Sequence, residues 1–145
     1  YNCPGQVSIS GKSDALKESR ADFIAAGGRF APLAVSGAFH SPYMSAAAVG
    51  FADFLTGCDI KTPELPVWSN LDAGQYDDNV RDRMSKQIDH PVKWAELIRN
   101  MHAAGAETFI EVGPGDTLTK LGARILPDVK FVHVSTPEEV ESCLA

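Results

Sequence analysis

The last third of the chain constrains its fold more than any other stretch. Glu107 to Val112 reads as a strand, Gly113-Pro114-Gly115 as a turn and Asp116 to Ile125 as a helix. Lys130 to Val134 then reads as a second strand and Pro137 to Leu144 as a closing helix. Strand, helix and strand at this spacing predict a parallel βαβ unit, because antiparallel neighbours can be joined by two residues whereas parallel ones need a long crossover. Just upstream, after a break at His90-Pro91, Val92 to Ala104 reads as a helix. Its Trp94, Leu97, Ile98 and Met101 form an i, i+3, i+4, i+7 apolar stripe, one face of a helix turned to a core.

Pro42 to Thr56 is expected as a helix with Met44, Ala47, Ala48, Phe51 and Leu55 on one face; a proline in its first turn is tolerated because its missing N–H would have been an orphan. Pro66 to Asn70 reads as a short strand, Leu71 to Tyr76 as a polar loop and Asp77 to Gln87 as a helix. At the start, Gln6 to Ser10 alternates as a strand should, Ser13 is the expected N-cap of a helix over Asp14 to Ala26, and Gly27-Gly28 should stop it. Arg29 to Val35 reads as a second strand, with Pro32 suited to an edge. Residues 1–36 thus look like a small lobe with too few strands to bury its own helix, and residues 37–145 like an α/β unit.

The charge balance narrows the partners. The chain has 145 residues, with 13 Lys and Arg against 19 Asp and Glu, a net charge of −6 and no basic block. That argues against nucleic acid and anionic membrane surfaces. Phe30 to Ala52 carries no charged residue, yet Pro32, Pro42, His40 and several serines and glycines interrupt it, so it does not read as a membrane span. No basic segment followed by an apolar one opens these residues, so no secretion signal is expected in them. Cys3, Cys58 and Cys143 are odd in number and far apart, which predicts reduced thiols, no zinc site and a cytoplasmic setting. The chain opens on Tyr1-Asn2-Cys3 without Met, which suggests processing or a longer parent.

Few residues point to chemistry on their own. Gly11-Lys12-Ser13 mimics the end of a phosphate-binding loop, but the glycine required five residues earlier is Gln6, so a plain turn and helix start is expected. Of four histidines, His102 follows the apolar stripe and should face solvent, His133 sits inside a strand, and His90 precedes a proline. None has metal-ligand spacing with a third ligand nearby. His40 differs, because Val35-Ser36-Gly37-Ala38-Phe39-His40-Ser41-Pro42 places it at the mouth of a strand-to-helix loop, where α/β proteins carry working groups. A histidine base serves a nucleophile, and no G-x-S-x-G elbow occurs in the sequence. If His40 is catalytic, its nucleophile lies outside these residues.

Four segments in order resemble the malonyl-CoA:acyl carrier protein transacylases. Tyr1-Asn2-Cys3-Pro4-Gly5-Gln6-Val7-Ser8-Ile9-Ser10-Gly11 is similar to the family's Y-N-x-P-G-Q segment, and Val35 to Met44 resembles its active-site histidine loop. Gln87-Ile88-Asp89-His90-Pro91-Val92-Lys93-Trp94 is similar to its Q-x-x-x-P-V-x-W motif, and Glu111 to Leu121 to its E-V-G-P-G-x-x-L-T-x-L motif. The resemblance covers the family's C-terminal half; the serine elbow, the carboxylate-binding arginine and the oxyanion-hole glutamine belong to the other half. It implies an α/β fold: the C-terminal half of a hydrolase-like parallel core in residues 37–145, and part of a ferredoxin-like small subdomain in residues 1–36.

The resemblance also implies roles. His40 would be the general base toward a serine and later toward a phosphopantetheine thiol. Gln87 would orient it through the main-chain carbonyl. Asn2 would line the cleft between subdomains or, equally, serve only as a turn residue before Pro4. Phe39 would stand beside the acyl group and set selectivity, or else be a core residue that anchors the loop. No bound cofactor or metal is implied: malonyl-CoA is the substrate, and the phosphopantetheine arrives on acyl carrier protein, docked by basic residues such as Lys93, Arg99 or Arg124. The serine-bearing N-terminal half would be a further partner. Two alternatives remain open: a malonyl-selective acyltransferase domain of a polyketide synthase, which Ala38-Phe39-His40-Ser41 resembles, and a non-catalytic module that binds a carrier protein.

Overall fold

The computed structural model describes residues 1–144. In chain order it holds α1 (Ser13–Ala25), a 3₁₀ turn (Pro42–Met44), α2 (Ser45–Thr56), α3 (Val80–Lys86), α4 (Trp94–Ala103), β1 (Thr108–Val112), α5 (Thr117–Ile125), β2 (Lys130–Val134) and α6 (Pro137–Leu144). β1 and β2 pair in parallel with Phe109 opposite Phe131 and Glu111 opposite His133, so the βαβ unit forms as its spacing demands. The chain is α/β, and it divides into two compact units. One comprises residues 1–7, 67–75 and 93–145, the other residues 8–66 and 76–92.

The first unit holds a continuous apolar core. On α4, Leu97 and Ile98 are buried, and Trp94 and Met101 pack beside them, so the stripe read from the sequence is the face that packs. Cys3, Ala73, Ala95 and Ile125 complete the buried cluster, against which Phe109 and Phe131 pack. These two rings are stacked with centroids 4.8 Å apart. α4 ends in a Schellman closure: Gly105 has φ 105°, and the Ala106 N–H reaches back to the Met101 carbonyl at 3.1 Å.

Glu111, the first residue of the fourth motif, has a structural task. Its carboxylate accepts the first-turn N–H groups of α5, from Leu118 at 3.0 Å and Thr119 at 2.7 Å. Burial works to raise its pKa, but the hydrogen bonds from Thr119 and Leu118 outweigh that and hold the carboxyl below its ordinary value. The cap is therefore intact at neutral pH and is lost only as pH falls through that lowered value. The strand carboxylate fills the anion-binding end of the helix, so the Gly113-Pro114-Gly115 turn serves the strand-to-helix connection.

Within α5, a Cβ on Gly122 would overlap the Phe131 ring. Alanine is the better helix former by about 1 kcal/mol, but overpacking against a ring already stacked on Phe109 costs about 1–3 kcal/mol. Gly122→Ala should thus lower the melting temperature of the full-length protein despite its gain in helix propensity. A raised melting temperature would show that the ring moves aside freely.

In the second unit α2 packs on α3, burying Ala48, Leu55 and Val80. Of the expected α2 face, Ala48 and Leu55 are buried and Met44 and Phe51 half-buried, while Ala47 is exposed. Arg81 ties the elements together, donating to the carbonyls of Leu55 at 3.1 Å and Cys58 at 2.7 Å. α1 runs where the sequence puts it, and the Gly28 N–H to the Phe23 carbonyl at 2.8 Å closes it. Its cap position is taken by Lys12, however, and Ser13 is its first residue.

Three expected strands do not form. Arg29 to Val35 enters no ladder, Gln6 to Ser10 keeps only the bridge of Gln6 to Cys3, and Pro66 to Asn70 is reduced to a single bridge between Trp68 and Gln75. Alternation predicts which face a strand would show, but only a hydrogen-bonded neighbour makes it a strand. Accordingly α1 buries none of its residues, and Phe23, Ile24, Leu33 and Val35 remain exposed.

Candidate active site

The loop leading into α2 presents His40 with a φ of 59°, a left-handed backbone that a non-glycine residue adopts at a cost. Two hydrogen bonds hold it there. The His40 main-chain N–H donates to the Ile88 carbonyl at 3.2 Å, and its ring Nδ1 lies 2.8 Å from the Gln87 carbonyl. A carbonyl can only accept, so Nδ1 carries the proton and Nε2 of the neutral ring keeps its lone pair. The ring is exposed. The arrangement yields an oriented base with its basic nitrogen unspent.

The neighbouring residues stiffen this loop. Ser41 is buried, and its hydroxyl donates to the Ala38 carbonyl at 2.6 Å. The Ser45 hydroxyl lies 2.9 Å from both the Pro42 carbonyl and Asp89 Oδ2 and can donate to one at a time. Asp89 also meets His90 Nδ1, at 2.6 Å. The hydrogen bond from Ser45 first, and then the one from His90, lowers the Asp89 carboxyl below its ordinary value. The Gln87 side chain points to other business: its amide donates to the Tyr76 hydroxyl at 2.7 Å, and the Arg83 guanidinium lies over the Tyr76 ring at 5.1 Å.

The residues singled out from the sequence are thus placed unequally. His40, Phe39 and Gln87 share one compact unit, and His40 touches Gln87 through its carbonyl. Phe39 is 44 % exposed, so burial does not make it a core anchor here. Its ring lies over Gly37, where a Cβ would meet Phe39 Cζ at 3.6 Å and Met44 Sδ at 3.9 Å. Asn2 belongs to the other unit, where its N–H donates to the Gln6 carbonyl at 3.1 Å in the turn closed by Gly5. Arg124 holds that turn, donating to Gln6 Oε1 and the Pro4 carbonyl, both at 2.9 Å. Lys93 lies 3.8 Å from Glu96, and Arg99 bonds its own helix at Ala95.

The other histidines have local duties: His102 Nδ1 lies 2.8 Å from the Ala106 carbonyl, and His133 Nε2 lies 2.6 Å from the Gly113 carbonyl. Ser45, Asp89 and Tyr76 were not singled out from the sequence, where no spacing links residue 45 to residue 89. A cleft of about 500 Å³ near the start of α3 is lined by Ile60, Thr62, Asp78 and Arg81 among others, and no residue of the His40 loop lines it. No helix among the described residues is long and apolar enough to cross a membrane.

Residues 1–137 match the family model described as acyl transferase domain. The chain is 38% identical over 149 residues to the malonyl CoA-acyl carrier protein transacylase of Bacillus subtilis, covering 97% of this chain and 45% of that protein. With the enzyme of the same name from Synechocystis it shares 36% identity over 97% of this chain and 48% of the relative. Among solved structures, malonyl CoA-acyl carrier protein transacylase from Clostridium perfringens superposes with a TM-score of 0.94 at 34% identity, over 99% of this chain and 46% of that one. The chain spans about half the length of the proteins it matches. By its match over residues 1–137, the chain belongs to the acyl transferase domain family.

Proposed function

We propose that this chain supplies the general-base half of a malonyl-CoA:acyl carrier protein transacylase of fatty acid biosynthesis. The observation that carries the reading is the His40 ring held by the Gln87 carbonyl, with Nε2 left as acceptor. In the first half-reaction Nε2 takes the proton of a serine hydroxyl as that oxygen attacks the malonyl thioester; the carbon–sulfur bond breaks and the proton leaves with the CoA thiol. In the second, Nε2 takes the proton of the carrier's phosphopantetheine thiol as its sulfur attacks the ester carbonyl; the ester carbon–oxygen bond breaks and Nε2 hands the proton to the serine oxygen. A neutral carbonyl fixes the tautomer but stabilises the imidazolium less than a carboxylate would. The serine comes from the part of the relatives that this chain does not match. In the same reading residues 1–36 form part of a ferredoxin-like small subdomain and residues 37–145 the C-terminal half of a hydrolase-like core. The chemistry uses no bound cofactor. The near-complete superposition on one half of a malonyl transacylase supports both assignments.

Phe39 provides the test. It precedes the base, is exposed, and in this reading flanks the α-carbon of the acyl group, where an α-methyl would collide with the ring. Overpacking of that kind costs about 1–3 kcal/mol, roughly 10–200-fold in discrimination. In the full-length enzyme the wild type should prefer malonyl-CoA, and Phe39→Ser should raise kcat/KM for methylmalonyl-CoA relative to malonyl-CoA. A ratio that stays fixed while both rates and the melting temperature fall would return Phe39 to a packing role.

A further inference from the structure

Three hydrogen bonds run from the His40 loop to one short segment: His40 N–H to Ile88, His40 Nδ1–H to Gln87, and Ser45 Oγ–H to Asp89. They start at two points, the base itself and the first residue of α2. They end on three consecutive residues just beyond α3. Only the last of the three is made by a side chain at both ends, so it alone can be removed by substitution without touching the base or its carbonyl partners.

We propose that Asp89 is a positioning residue for His40, holding the 87–88 carbonyls in place by fastening their segment to the start of α2 through Ser45. Ser45 donates to a carboxylate and not to an imidazole, so Ser45, Asp89 and His90 do not form a serine nucleophile with its base. Their order makes Asp89 the acceptor at the centre, with His90 as a second donor that steadies the carboxylate. Asp89 is well enclosed, its side chain 16 % exposed against 48 % for His90. With that fastening lost, the segment and the two carbonyls on it move, and with them the aim of Nε2. Catalytic groups tolerate such displacement poorly.

The inference rests on His40 being the base, and the experiment separates the two ideas. In the full-length enzyme, kcat, KM and melting temperature are measured for Asp89→Ala, Asp89→Asn, Ser45→Ala, the Asp89→Ala/Ser45→Ala pair and His40→Ala. Loss of one charge-assisted hydrogen bond sets the scale: Asp89→Ala and Ser45→Ala should each lower kcat about tenfold with KM little changed. The pair should lose no more than either alone, as expected for two ends of one contact. Asp89→Asn keeps an acceptor for Ser45 and should recover most of the rate. Ser45→Ala also improves helix propensity, so its melting temperature should hold while kcat falls. Wild-type kcat in Ser45→Ala and Asp89→Ala, alongside a crippled His40→Ala, would overturn the positioning role and leave the base in place. Additive losses that track the melting temperature would overturn it as well. An active His40→Ala would overturn both.

Discussion

A protein made of these 145 residues alone should take up no malonyl group from malonyl-CoA and pass none to acyl carrier protein, whereas the full-length enzyme, on the proposed function, should do both. The G-x-S-x-G elbow is not in the sequence. The two serines that follow His40 direct their hydroxyls elsewhere, Ser41 to the Ala38 carbonyl and Ser45 to Pro42 or Asp89. A base without a nucleophile retains little of the rate, since the members of such a pair act as a unit. Exposed apolar side chains should betray the same incompleteness. Ile110 and Val112 of β1 are 45 % and 76 % exposed, although parallel sheets are ordinarily covered on both faces. Size-exclusion chromatography with intact-mass analysis after incubation with malonyl-CoA should show an unmodified, self-associating species. A monodisperse monomer carrying one malonyl ester would refute both the missing nucleophile and the uncovered sheet.

In the full-length enzyme His40→Ala should lower malonyl transfer by about 10²–10⁴-fold, the usual worth of a positioned general base, or about 3–5 kcal/mol of barrier. The loss should fall on both half-reactions, because in the proposed mechanism the same Nε2 takes the serine proton and later the thiol proton. Gln87→Ala should do much less, since the acceptor is the main-chain carbonyl and the side chain only reaches Tyr76. His90 touches Asp89 and not His40, so His90→Ala should also be mild. Steady-state transfer rates for the three variants settle the assignment; a severe His90→Ala beside a harmless His40→Ala would move the base to His90.

What could be read in the sequence follows the range of the forces involved. The α4 stripe, the glycines that end α1, and the crossover between β1 and β2 are local patterns, and each appears as read. The three strands that failed needed neighbours that no local pattern supplies. The His40 loop stands out because small residues and a proline bracket a lone histidine. Its supports do not: Asp89 reaches Ser45 across 44 positions, and Gln87 reaches Tyr76 across 11. The motif resemblance found Gln87 because a family pattern stores long-range contacts that periodicity cannot. Asp89 stands at one of that pattern's unspecified positions, so the resemblance is silent on its bond to Ser45.

The backbone of His40 sets heat tolerance against turnover. At φ 59° an imidazole-bearing residue sits where glycine would be at ease, and two hydrogen bonds to the carbonyls of residues 87 and 88 keep it there. Any library sorted only for survival at high temperature is therefore drawn toward glycine at this site and away from the proposed base, the usual direction when a strained residue is also a working one. On the proposed function, selection for robustness has to be run with turnover as a second criterion, or it will discard the imidazole that the loop holds.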